Sequence, residues 1–274
     1  MLYIIQTALQ LGCVYSFVAL ALFLSYRILD IADLTTDGCF VLGMAVSVSC
    51  CASGHPFAGV ILGMIAGGCA GCVTAVLQTQ LGVPSILAGI VTNTGLYTIN
   101  LMAMGWSSNI SLLKNETIFS LFKKTNIGGA WNAILLAGMI ALCAMVLMKW
   151  FLSTRLGLSI RATGDNRDMV SASSINPRFT ILVGLVVANM FTGLSGALAG
   201  QLQKSADINA GSGIVTIGLA TLIIGETLIQ GRKSIGRNIC ACLVGNIVYR
   251  CIYAFVLQTH IIPVEGLDIN TNPN

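Results

Sequence analysis

The sequence predicts an all-α fold, a polytopic transmembrane helical bundle of about eight spans with one or two broken or re-entrant helices. Three observations predict it. Of 274 residues, 55% are hydrophobic and only 9% are charged, whereas a soluble chain carries about 25% charged residues. Mean hydropathy is +0.86. Apolar runs close to the ~20 residues that cross a hydrocarbon core recur along the whole chain.

The spans read as 2–26, 36–53, 56–81, 84–105, 130–152, 178–201, 212–230 and 236–258. The first has no basic leader and is too long for the apolar core of a signal peptide, so it reads as a span. The second and seventh are the weakest. The second starts in DIADLTTDG, Asp30 to Gly38. Carboxylates at that depth are expensive in lipid, so this segment reads as a broken or re-entrant helix facing protein or water. The third carries Gly59, Gly63, Gly67 and Gly71 every four residues, and the sixth repeats the spacing with Gly196 and Gly200. Small faces let helices approach closely in lipid. These glycines predict tight packing. The tail, 259–274, is polar.

Lysine and arginine set the orientation. With 153–178 inside the cell, the N-terminus lies outside. Arg27, Lys149, Arg155, Arg161, Arg167, Arg178, Arg232, Lys233 and Arg237 then lie inside. Lys114, Lys123, Lys124 and Lys204 lie outside, and Arg250 lies within a span. The opposite orientation would break the positive-inside rule.

Enzymatic motifs are missing. The stretch from Gly225 to Ser234 has five residues between its glycines where a P-loop needs four, and Arg232 where the phosphate-binding lysine belongs. His55 and His260 are isolated, and no metal cluster is expected. The ten cysteines are scattered through apolar runs, where a thiol behaves as a small hydrophobe. Cys69 and Cys72 have redox spacing but no second ligand pair nearby.

The segment from Ser153 to Arg178 holds four arginines between two apolar runs. Asp165 suits an N-cap, with Asp168 favouring the positive helix end. Asn166 to Ile175 then forms a helix of roughly 15 Å at 1.5 Å per residue. Asn176 stops it before Pro177. Met169, Ala172 and Ile175 make a knob face, and Arg161, Arg167 and Asp168 are available for ion pairs. Periodicity alone leaves two readings open: a peg for a partner's groove, or a solvated loop that fixes topology.

Polar groups inside spans are candidate pathway residues. They are Asp33, Thr35, Thr36 and Asp37 at the broken helix, Asn93 and Asn100 in the fourth span, Asn189 in the sixth, and Glu226 near the inner end of the seventh. The acidic cluster suits an amine better than an anion. An interhelical hydrogen bond of roughly 1 kcal/mol is the competing reading for each polar residue. Glu226 reads as an ion-pair partner or gate element near Arg232 and Lys233. Asp207 and Asn209 fall in the outer connection.

The run TRLGLSIRATGDNRDMVSASSINPRFTILVG resembles the coupling loop of bacterial ABC importer permeases for branched-chain amino acids, ribose and nucleosides. The likeness extends to GLSGALAGQLQKSADINAGSGIVTIGLATLIIGETL and to LGCVYSFVALALFLSYRILDIADLTTDGCFVLGMA, and so covers nearly the whole chain. Its wording is closest to permeases for tryptophan or tyrosine. The resemblance implies one permease domain over 1–258, with the coupling loop at 153–178. It implies a bacterial inner-membrane location, a second permease chain as homodimer partner, a cytoplasmic ABC ATPase and an extracytoplasmic binding protein or lipoprotein. ATP and magnesium would belong to the ATPase, with no cofactor in this chain and no nucleic-acid partner. Members of the family continue past the Pro263-Val264-Glu265 segment into another apolar span, which implies a truncation or a dispensable last helix. The competing class is an ion-coupled secondary transporter, which calls for inverted repeats and a midplane ion site. No convincing repeat is found.

Overall fold

The computed structural model describes residues 2–113, 115–124, 131–229 and 234–258. Lys114, Arg232, Lys233 and the 259–274 tail, with its Pro263-Val264-Glu265 segment, lie outside the described residues. The chain forms α1 (Leu2–Leu22), a π-helical turn (Phe23–Ile28), α2 (Thr36–Ala52), α3 (Pro56–Thr79) and α4 (Ser85–Ala103). There follow a short α5 (Ile118–Lys124), α6 (Asn132–Ser153), α7 (Arg155–Asp165), α8 (Arg167–Ala172), α9 (Pro177–Gln203), α10 (Ile214–Leu228) and α11 (Ile235–Gln258).

Among the described residues, six helices are long and apolar enough to cross a membrane. The second and seventh predicted spans are the short ones. At 1.5 Å per residue, the 17 residues of α2 reach about 25 Å and the 15 of α10 about 22 Å, short of a core of about 30 Å. The bundle is not wholly helical. Asn109–Ser111 (β1) pairs antiparallel with Ser205–Asp207 (β2), a small ribbon at one end.

The centre is α9 packed on α2 and α3. The glycine stripe makes this possible, because helices without side chains at the contact can touch through their backbones. Gly59 lies against the Ser47 carbonyl, Gly63 against that of Gly43, and Gly67 against that of Asn189. Gly71 faces the Asn189 side chain, Gly196 the Phe40 carbonyl and Gly200 the Met44 side chain. On either side of this centre, Phe17, Phe40 and Leu198 belong to one apolar cluster, and Leu24, Leu185 and Ile160 to another. Helices α4 and α6 are peripheral, with Ile90, Val91, Met139, Leu142 and Val146 exposed for lipid or a partner. All ten cysteines are free thiols.

The break before α2 has a clear construction. The π turn, then Asp30 in the left-handed region at φ 54°, reverses the chain. Residues 29–35 run back into the bundle without helix. Such backbone survives at membrane depth only when protein covers it. Ile31, Asp33 and Thr35 are accordingly buried. Asp33 bonds to Asn189, near the middle of α9, which puts the start of α2 at mid-depth.

Candidate functional site

The predicted pathway and coupling residues, Glu226 apart, separate into three groups. The first is a sealed network. Asn189 Nδ2 donates to Asp33 Oδ2 at 2.7 Å and to the Leu185 carbonyl at 3.1 Å. Asp33 Oδ1 accepts from the Thr35 amide at 2.9 Å. Thr35 and Thr74 share a hydroxyl–hydroxyl bond of 2.8 Å. Thr36 Oγ1 donates to the Asp33 carbonyl. Every member is buried. This network ties the broken segment to α3 and α9.

The second group lines a cavity of 370 Å³ between α2, α4 and the segment before α10. Asp37, Asn93, Thr94, Tyr97, Asn100 and Ser212 supply its polar wall. Asp37 holds two half-spans together, because its Oδ1 accepts from the Val215 amide at 2.9 Å. A carboxylate there satisfies free amides at the start of α10 and suits its positive end. Asn100 Nδ2 donates to the Gly38 carbonyl at 3.2 Å. Its Oδ1 is buried with no donor. The cavity therefore offers the Asp37 carboxylate as an acceptor to a group carrying N–H or O–H.

The third group lies at the arginine-rich end. The segment 153–178 is mostly helix, because Thr154 starts α7 by accepting from the Gly157 amide at 3.3 Å. Ile160 and Thr163 are buried. Thr163 shares a 2.8 Å bond with Thr180 of α9, and Gly164 presses on the Ile28 carbonyl at the π turn. Asp165 closes α7 and caps nothing downstream. The N-cap of α8 is Asn166, whose Oδ1 accepts from the Asp168 and Met169 amides, both at 3.0 Å. Asparagine satisfies two amides of the next turn here, the ordinary N-cap role. Helix α8 has six residues, about 9 Å, shorter than its sequence suggests. Ile175 falls beyond its end, so the predicted knob reduces to Met169 and Ala172, both exposed. Val170 is the buried anchor. Asn176 caps α9 by accepting from the Arg178 amide at 3.0 Å.

Glu226 pairs with Arg27 at 3.1 Å. Its predicted partners, Arg232 and Lys233, lie outside the described residues. Arg27, Arg161, Asp165 and Asn238 line a smaller cavity of 230 Å³ beside this pair. Asp207 accepts from the Asn209 amide in the ribbon turn.

Sequence reasoning missed Thr94 and Tyr97, although Tyr97 stands four residues from Asn93 on one helical face. It also missed Thr74, Gln201 and Arg27. Gln201 is buried and bridges Ser47, the Pro56 carbonyl and the Ile118 amide. A glutamine directly following the small-residue run Gly196–Gly200 was its signal.

A polytopic bundle whose broken helices meet beside a polar cavity defines a membrane transport component. The chain belongs to the branched-chain amino acid transport system permease component family, which it matches over residues 4–265. It is a multi-pass inner-membrane protein and a permease component of ABC transport systems. It is 30% identical over 246 residues to a tyrosine transport system permease protein of Clostridioides difficile, covering 89% of this chain and 80% of that protein. Identity is 32% over 268 residues to an uncharacterized protein of Rickettsia prowazekii, covering 96% and 92%. Against the D-allose transport system permease protein of Escherichia coli it is 29% over 220 residues, covering 79% and 64%. No solved structure matches.

Proposed function

We propose that this chain is the transmembrane subunit of an ATP-binding-cassette importer for amino acids, aromatic or branched-chain. A separate ATPase drives it through alternating access. The observation that carries this reading is α8. It is a short capped helix at the arginine-rich end, anchored by Val170, with Met169 62% exposed. An apolar tip on a short capped peg suits a groove on a soluble partner. ATP and magnesium belong to that partner.

By the positive-inside rule, the end bearing Arg155, Arg161, Arg167 and Arg178 faces the cytoplasm. The ribbon end then faces the extracytoplasmic binding protein. The exposed face of α4 carries Thr94, Tyr97 and Thr98. Polar groups are unfavourable against lipid, so this face suits a second copy of the chain, closing the 370 Å³ cavity into a pathway. The amino-acid reading rests on the Asp37 carboxylate in the cavity wall, which suits an ammonium group, and on the tyrosine permease relative.

The test is co-purification with the ATPase subunit. Met169→Glu puts a charge on the peg and leaves Val170 in place. ATPase recovery should fall about tenfold, the loss of roughly 1.4 kcal/mol of binding, with membrane levels unchanged. Deleting 165–176 should abolish recovery. Unchanged recovery in both variants refutes the coupling role.

A further inference from the structure

A second cavity, 520 Å³, opens at the arginine-rich end between the α3–α4 turn and the α8–α9 turn. Its polar lining is rich in donors. Arg167 and Arg178 reach it from α8 and α9, and Gln78 from α3. Gln78 Nε2 is buried with no acceptor. No carboxylate lines the cavity. Among the described residues the ion pairs are Arg27–Glu226 and Lys124–Glu116, so neither lining arginine is neutralised. Pro84 and Ser85 also line it, at the start of α4. Pro84 gives that 19-residue helix no side-chain cap, which leaves its first amides and its positive end available to an anion. Two guanidinium groups and an uncapped helix start call for a group with several acceptor oxygens and negative charge. Phosphate is that chemistry.

The surroundings identify the source. Arg178 stands in the first turn of a membrane-spanning helix, at head-group depth. Leu81, Ile86 and Phe179, each next in sequence to a lining residue, are 68%, 54% and 52% exposed. A charged cavity with an apolar rim at the membrane boundary fits a phosphate that carries acyl chains. We propose that this cavity seats the head group of an anionic phospholipid from the cytoplasmic leaflet. The inference takes from the function proposed above which end faces the cytoplasm and the coupling role of α8. Because Arg167 and Ser171 of α8 form one wall, the head group holds the peg against the bundle, and leaflet composition tunes the coupling helix.

The experiment is lipid retention by the purified full-length chain, offered equal amounts of phosphatidylglycerol and phosphatidylcholine and read by native mass spectrometry. The unmodified chain should retain phosphatidylglycerol about tenfold over phosphatidylcholine, the scale of one lost charge-assisted hydrogen bond. Arg178→Gln should remove that preference. Arg178→Lys, which keeps the charge, should retain most of it. Arg155→Gln, whose arginine does not line the cavity, should keep it fully. Equal retention of both lipids overturns the proposal. So does equal loss in Arg178→Gln and Arg155→Gln, which would mean diffuse charge. Stripping of phosphatidylglycerol by millimolar inorganic phosphate assigns the cavity to a free anion instead. Unchanged lipid preference with lost ATPase recovery in Arg178→Gln assigns it to an acidic protein surface. Unchanged ATPase recovery in Met169→Glu and in the 165–176 deletion, with the phosphatidylglycerol preference intact, refutes the coupling role and supports the lipid site, so the two readings fail separately.

Discussion

Gly67→Ala measures the closeness of the α3–α9 contact. A Cβ at Gly67 would stand 2.5 Å from the Asn189 carbonyl oxygen, 2.9 Å from Gly193 Cα and 3.1 Å from its amide nitrogen. All three are backbone atoms, so no rotamer change relieves the clash. Ordinary contact begins at 3.4 Å, and the helices must therefore part by about 0.9 Å at this point. A gap of 0.5–1 Å forfeits roughly a quarter to a half of each dispersion contact along the seam. If α3 takes up the movement, the 2.8 Å Thr35–Thr74 bond stretches past its useful range as well. Overpacking of this kind costs about 1–3 kcal/mol, while alanine returns about 1 kcal/mol of helix propensity over glycine. Gly138→Ala in α6 gains the same propensity and meets nothing within 4 Å. The propensity cancels between the two variants. Gly67→Ala should therefore be less stable than Gly138→Ala by about 1–3 kcal/mol, read as unfolding free energy in a reversible detergent titration of purified protein. Equal free energies for the two variants would refute a backbone-to-backbone contact at Gly67.

Two further outcomes follow from the polar groups. Asn189→Leu strips Asp33 Oδ2 of its donor inside the bundle, which costs about 1–3 kcal/mol or more for a charged group. Removing both side chains in Asp33→Leu/Asn189→Leu should recover part of that loss in the same titration, and an additive double variant would refute the pairing. Arg27→Gln should change stability by only about 0.2–1 kcal/mol, because Arg27 and Glu226 are 47% and 30% exposed. A larger loss would mean that the pair is desolvated.

The long spans were legible because hydropathy and length decide them without tertiary information. The broken second helix was legible for a related reason, since DIADLTTDG cannot lie in lipid and so announces burial. The glycine spacing marked the close faces but not their partners, because the same stripe suits any small face. The partner of Glu226 was hidden, as Arg27 lies 199 positions away and the sequence favoured nearer charges. The cap of α8 was misread by one residue, since Asp165 and Asn166 both suit the role and only the end of α7 decides between them. Helix α7 was missed because its period is short and its packing surface is Gly157, Ile160 and Thr163, with one apolar side chain among them. The pathway candidates separated into a sealed network and an open cavity on burial, a property that adjacent residues such as Thr36 and Asp37 do not reveal in sequence.

The location of Asp37 explains how a rigid bundle can still change shape. Helix α2 is fixed to α3 and α9 through glycine backbone contacts at Gly43, Gly63 and Gly196. Helix α10 is fixed to α11 in the same manner, with Gly225 on the Ala241 carbonyl and Gly245 on that of Thr221. Between these two stiff units, the Asp37 carboxylate on the Val215 amide is a polar latch, and Gly211 lets the chains approach there. The cavity lies along this seam, with Asn93, Tyr97 and Asn100 on one side and Ser212 on the other. Gly164 of α7 bears on the π turn at the end of α1, and π-helical turns gather at functional sites. On the coupling role proposed for α8, a push on α8 and α7 reaches the bundle at this π turn. Closely packed interiors switch between discrete arrangements more readily than they bend. The Asp37 carboxylate is the polar link between α2 and the start of α10, and a switch along this seam has to release it.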